Sequence, residues 1–386
     1  MSVHPSTTSQ RSATYPALTG IRAVAAAMVF FFHYNPLRDA ATGEGLRHYL
    51  YLFLTQWNAG VTLFFVLSGF LITHRYRDSL ELSGPWLRRY LQNRLARIYP
   101  VYLLLTVATF ALWHFVGEPF VVADWWYPLT ALDKLVVMGM NLTLTRAYFE
   151  HVMFTGVLTA WSLTVEETFY LTAPLVLWSV RRRWQPLLLW AAVLPLLGLG
   201  LVLFWPASLK YYGFMETPAF LVNYTYFGHA AEFMAGVGLG MWVARRPELP
   251  RARLPLTLLG SLALVAVLAA GTQMGESPAA RFALGLAIAG VVCVLFYGLL
   301  SEATLLQRAL AWNLVQELGR ASYVFYLLHV GVFMSVLDLA GVTTLGGRLL
   351  AVTAASIALY RFVEHPLHLR LKARRARVQM PVYTPV

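Results

Sequence analysis

The chain has 386 residues, is 58% apolar and only 12% charged, and has a mean hydropathy of +0.59, which excludes an ordinary soluble globular protein. Its one cysteine, Cys293, excludes an intrachain disulfide and a cysteine-based zinc site. A net charge of +12 would also suit nucleic acid, so the placement of the charges has to decide their purpose.

Residues 1–14, rich in Ser and Thr, read as a disordered cytoplasmic tail. Beyond them, apolar runs recur that are long enough to cross a hydrocarbon core of about 30 Å as helices. We place ten, at about 17–34, 57–74, 98–116, 157–180, 187–205, 226–244, 254–271, 279–300, 321–340 and 344–363. Segment 132–145 is shorter and begins with Asp133 and Lys134, so it reads as interfacial or re-entrant. The expected fold is all-α: a polytopic membrane protein with about ten transmembrane helices, a membrane domain over 15–370 and a basic tail over 371–386. A cleaved signal peptide would also begin with a basic tail and an apolar run. Here His33, Tyr34, Asn35 and Pro36 follow that run without a small-residue cleavage pattern, so it is read as a retained first helix.

With the N-terminus inside, most of the 30 basic residues fall in segments assigned to the cytoplasm. That is the positive-inside asymmetry of a membrane protein, and it sets both termini in the cytoplasm. The lipid bilayer, and no nucleic acid, is the partner the basicity implies.

The first run, GIRAVAAAMVFFFHY, carries two ionisable residues. Arg22 and His33 are eleven positions apart, about 20° beyond three full turns, so they share one face with a rise of about 16 Å. Arg22 alone fits a snorkelling interfacial residue, and His33 alone fits a hydrogen-bonded residue at a helix end. Ionisable groups inside a membrane are costly, which makes function the competing reading.

Arg94 and Arg97 follow Arg88 and Arg89 just before the third run. They lie three apart on one side of a helix, with Pro100 expected in its first turn. Guanidinium groups clamp phosphate oxygens, although topology-setting charge would look the same. In WSLTVEETFYL, Ser162, Glu166 and Tyr170 recur at helical spacing and make one polar stripe, so Glu166 is the inward carboxylate and Glu167 points elsewhere. His229 and Glu232 stand three apart in GHAAEFMAGVGLG and serve either acceptor binding or polar packing. Two ligands without a third give no metal site. Gly236 and Gly240 allow close helix packing. In SYVFYLLHV, Tyr323 fits an interfacial belt residue, whereas His329 lies too deep for that reading. Arg361 and Glu364 read as a structural pair, and the basic tail beyond them rests on anionic lipid.

YPALTGIRAVAAAMVFFFHY resembles the opening helix of the acyltransferase 3 family, where Arg, ten residues and His recur. GVTLFFVLSGFLITHRY (60–76), RLARIYPVY (94–102), WSLTVEETFYLTAPLVL (161–177) and SYVFYLLHV (322–330) match further family blocks in order, and RFVEHP (361–366) closes the last helix. The resemblance covers about 15–370. Asp is common in the family where Thr19 and Thr62 stand, and Gln where Thr168 stands.

The resemblance implies a multi-pass enzyme of the inner (plasma) membrane, active at the cell envelope. It would transfer an acyl group, acetyl by expectation, from cytoplasmic acyl-CoA to a hydroxyl of a carbohydrate or glycosylated acceptor. Arg22, Arg94 and Arg97 would bind the donor, and His33 and Glu166 would be catalytic. Ser162, Tyr170, His229, Glu232, Tyr326 and His329 would line the acceptor side. Acyl-CoA is then a cosubstrate, with no tightly bound cofactor or metal, and a separate periplasmic or extracellular partner would receive or supply the acceptor. Two alternatives stay open: an O-acyltransferase acting on a macrolide or other secondary metabolite, and a transporter or exporter of a polar or glycan substrate.

Overall fold

The computed structural model describes residues 15–117, 129–246 and 254–373, and every regular element among them is helical. The tail expected over 1–14 and most of that over 371–386 lie outside the described residues. Helix α1 (Pro16–His33) begins with proline in its first turn, where no N–H is needed. A short α2 (Leu46–Thr55) feeds through a 3₁₀ turn (Gln56–Ala59) into α3 (Gly60–Tyr76). Helix α4 (Gly84–Phe115) is capped by Ser83, and its 32 residues extend about 48 Å, well beyond a bilayer core. Then come α5 (Ala131–Leu142), α6 (Trp161–Val180), α7 (Gln185–Phe204), the short α8 (Pro218–Tyr224) and α9 (Tyr226–Ala244). The remainder is α10 (Leu256–Gly271), α11 (Pro278–Ser301), α12 (Leu305–Leu310), α13 (Asn313–Leu328), α14 (Val332–Leu339), α15 (Leu345–Leu359), a π-turn (Tyr360–Glu364) and α16 (His365–Leu371).

All ten predicted runs contain a helix, but they are not equal. Six stretches are long and apolar enough to span: α1, α2 with α3, α4, α7, α11, and α15 with α16. A seventh would be α13 with α14 taken together. Helices α6 and α9, 20 and 19 residues long, carry Glu166 and Glu167, and His229 and Glu232, which lower their hydropathy. Helix α10 is shorter, at 16 residues. The span expected over 321–340 is broken: α13 and α14 meet at 84°, and Gly331, at φ +91°, supplies the backbone geometry other residues disfavour.

The polar helices are interior ones. Thirteen of the 19 residues of α9 are buried, and α3, α6, α7 and α11 surround it. Gly236 lets it touch α3, because a Cβ there would sit 2.0 Å from the Val66 carbonyl oxygen. By contrast, only Leu194, Gly198 and Val202 of α7 are buried, and most of its other leucines face outward.

Two prolines lock helices together. Pro100 was expected in a first turn, yet it lies deep within α4, because that helix begins well before the apolar run. Proline has no N–H for the carbonyl four residues back. His368 Nδ1 of α16 reaches the carbonyl this frees, at Ala96 (3.3 Å). In α6, Pro174 likewise frees the carbonyl of Tyr170, and the Tyr90 hydroxyl of α4 donates to it at 2.9 Å. Each buried carbonyl thus regains a partner, as an apolar surrounding demands.

Candidate active site

The polar side chains of the interior helices form a seam between α1, α3, α4, α6 and α13. At one end Arg22 of α1 donates from Nε to Ser322 of α13 (3.1 Å) and lies over the Phe64 ring. Arg94 of α4 sits between the Tyr76 and Tyr170 rings, 5.4 and 5.5 Å from their centroids, and donates to the Tyr76 hydroxyl (3.2 Å). Its Nε is buried without a hydrogen-bond partner. Arg97 and Glu364 are within electrostatic range of Arg22. Arg97 makes no hydrogen bond or ion pair among the described residues.

Glu364 was expected to pair with Arg361, and it does not. Arg361 instead bonds Glu317 at 2.7 Å, and Glu364 is buried with one oxygen unpartnered, facing Arg97 and Arg22. The π-turn explains this, since its wider winding moves residues three apart off a common face.

Glu166 lies midway. Its Oε1 accepts from Ser68 of α3 (2.6 Å) and from Tyr170 one turn along α6. No contact joins it to His33 among the described residues, so the structure ties this carboxylate to the arginine half of the seam. Glu167 points away and accepts from Tyr99 at 3.0 Å, as the stripe predicts. Ser162, a turn above Glu166, donates to the Tyr326 hydroxyl (2.9 Å), which donates to the Thr159 carbonyl (3.2 Å).

At the opposite end of the seam His33, the last residue of α1, meets His329, the C-cap of α13, with ring centroids 5.2 Å apart. His329 is fully buried and His33 is exposed. The Nδ1 of His329 lies 2.8 Å from the carbonyl oxygen of Tyr326. A carbonyl only accepts, so Nδ1 carries a proton, and in the neutral ring Nε2 keeps a lone pair. That Nε2 is buried and has no partner. Both imidazoles stand at the carbonyl ends of helices, which present partial negative charge to the gap between them.

His229 and Glu232 do pair, at 2.9 Å, but apart from this seam. The other nitrogen of His229 is bound to the Asn223 carbonyl (3.0 Å), so both ring nitrogens are engaged. Trp161 and Phe65 flank the ring. Among the described residues no group of three His, Cys, Asp or Glu side chains is placed to hold a metal.

Sequence reasoning missed Ser68, Ser322 and Arg146. The two serines sit in the matched blocks, where periodicity does not distinguish a hydroxyl that packs from one that bonds. Arg146 lies in the loop after α5 and is fully buried. It donates to Asn141 Oδ1 (2.7 Å) and to the Val157 carbonyl, and it has no ion-pair partner among the described residues. A loop arginine gives no periodic signal, so only the fold reveals that this one is buried.

The fold and the seam define a multi-pass helical membrane protein with an internal polar site. The chain belongs to the acyltransferase 3 family: the family model for this acyltransferase domain matches residues 15–361. It is 24% identical over 383 residues to the peptidoglycan O-acetyltransferase OatA of Listeria monocytogenes, covering 91% of this chain and 55% of that protein. It is 31% identical over 172 residues to the acyltransferase MdmB of Streptomyces mycarofaciens, covering 43% of this chain and 40% of that one. The chain thus spans about half the length, or less, of these relatives. No solved structure matches it.

Proposed function

We propose that the protein is an O-acyltransferase of the plasma membrane that takes an acyl group, acetyl in the first instance, from acyl-CoA and places it on a hydroxyl of a carbohydrate. One observation carries this reading: the face shared by Arg22 and His33 runs from a cluster of three arginines to a pair of imidazoles. Three arginines against Glu166 and Glu364 leave one positive charge in excess, which suits a phosphorylated donor. With that end cytoplasmic, both termini are cytoplasmic too. The donor's phosphates lie among Arg22, Arg94 and Arg97, and the pantetheine arm carries the thioester about 16 Å up the helix to His33.

There the acceptor hydroxyl gives its proton to the free nitrogen of His33 as its oxygen attacks the thioester carbonyl. The tetrahedral intermediate collapses, the carbon–sulfur bond breaks, and the CoA thiolate takes the proton back from the imidazolium. His329 supports this step with the lone pair of Nε2, toward which a hydroxyl or imidazole N–H can donate. Glu166 acts at a distance from the reacting atoms, holding Tyr170 and so the ring face on which Arg94 rests. Ser162 and Tyr326 are bonded to each other, so they shape the acceptor side by packing, and His229 with Glu232 does the same.

The carbohydrate acceptor is supported by a relative whose name states that it acetylates peptidoglycan, matched over 91% of this chain. The test is purified protein in lipid nanodiscs, given [acetyl-¹⁴C]acetyl-CoA and either muropeptide or soluble glycan fragments. The expected result is label in the glycan with release of free CoA. Solute movement across a sealed vesicle without CoA release would mean a transporter instead.

A further inference from the structure

On the opposite side of α4 from the seam, a cavity of about 680 Å³ opens between the start of that helix and the end of α16. Its lining includes Arg88, Arg89, Arg370 and Lys372, four exposed cations with no ion-pair partner among the described residues. Gln92, which donates to the Leu371 carbonyl (2.9 Å), and Asn93, which accepts from the Ala373 N–H (3.0 Å), fasten the groove's two walls together. The groove is therefore held open by bonded backbone, with its charges left unused.

The helical wheel fixes its direction. Arg88, Arg89 and Gln92 fall within about 100° of one another on α4, whereas Arg94 lies about 190° from the middle of that arc. A donor stretched along the seam cannot occupy this groove without passing around the helix. Leu369 and Leu371, next in the chain to the lining residues Arg370 and Lys372, are exposed apolar side chains of the kind that acyl chains could cover.

We propose that this groove binds the phosphate headgroup of an anionic phospholipid of the inner leaflet, so that a lipid clamps α16 to α4, the helix that carries Arg94 and Arg97. Guanidinium and ammonium groups near an anionic leaflet attract such headgroups, and four around one cavity make a defined site rather than a diffuse charge. The nucleotide phosphates of acyl-CoA share this chemistry, and the experiment separates the two.

The test is native mass spectrometry of the full chain released from nanodiscs of phosphatidylcholine with 20% phosphatidylglycerol, alongside a CoA-binding titration. The wild type is expected to retain phosphatidylglycerol selectively. The variant R88Q/R89Q/R370Q/K372Q should retain at least about fivefold less and bind CoA within twofold of wild type. A control, R182Q/R183Q, removes exposed charge elsewhere and should retain lipid as wild type does. Equal loss in the control, or no selective retention by the wild type, overturns the proposal. Loss of CoA binding with unchanged lipid retention overturns it too, and assigns the groove to the donor. A melting temperature for each variant shows that the comparison is between folded proteins.

Discussion

At one end the seam sets three arginines against Glu166 and Glu364, with rings and hydroxyls around them. At the other end it sets two imidazoles side by side, and no carboxylate contacts either of them among the described residues. The difference separates two tasks. Fixed charge, braced by Tyr76, Tyr170 and Ser322, suits the holding of an anionic group in one position without a change of protonation. Rings that can gain and lose a proton, one exposed and one with a buried lone pair, suit a step in which a proton must move.

The largest expected effect tests this division of labour at the imidazole end. His33→Gln should lower kcat by roughly 10²- to 10⁴-fold, the usual contribution of a positioned general base, while CoA affinity stays within about threefold. An equal loss of CoA affinity would merge the two ends into one. Arg94→Met keeps the bulk between Tyr76 and Tyr170 but removes the charge. A lost charge-assisted hydrogen bond of about 1.5–3 kcal/mol predicts a rise of roughly 10- to 150-fold in KM for acyl-CoA, with kcat much less affected. His329→Asn keeps a donor where Nδ1 meets the Tyr326 carbonyl and deletes the Nε2 lone pair. It should lower kcat by about tenfold, close to 1.4 kcal/mol, and change the pH–rate profile, which a purely structural role would leave in place.

The smallest effect lies outside the seam and serves as a control. Glu302, just after α11, accepts from the backbone N–H groups of Leu256 (2.6 Å) and Thr257 (3.0 Å) at the start of α10. Desolvation works to raise its pKa, but these hydrogen bonds outweigh it and hold the carboxyl below its ordinary value. A carboxylate depressed on folding contributes stability that is present above its unfolded pKa, about 4.3, and is lost as pH falls through the folded value. Glu302→Gln should therefore cost about 1 kcal/mol at pH 7, a difference that closes as pH falls through the depressed folded pKa, and leave kcat unchanged. Thermal melts across pH check it.

What was legible in the sequence follows from what periodicity encodes. The shared face of Arg22 and His33, the inward turn of Glu166 and outward turn of Glu167, and the close approach at Gly236 all depend on 100° per residue and on side-chain size, which a sequence states directly. The breaks did not show. Apolar residues continue through His329 to Gly331, so the 84° bend depends on backbone geometry that hydropathy does not register. Arg361 and Glu364 do not pair, because that spacing brings them together only in an α-helix and the chain forms a π-turn there. The imidazole pair itself joins residues almost 300 positions apart, and only packing of α1 against α13 brings them together.

A donor anchored by guanidinium groups and reacting beside His33 is tested in one measurement by bromoacetyl-CoA. In that reagent the imidazole nitrogen displaces bromide from carbon and leaves a stable carboxymethyl-type thioester adduct. Peptide mass spectrometry of the labelled protein should find the adduct on His33, protected by excess CoA and sharply reduced in Arg94→Met. An adduct confined to Cys293 or to surface residues, with His33 unmodified, would contradict the claim.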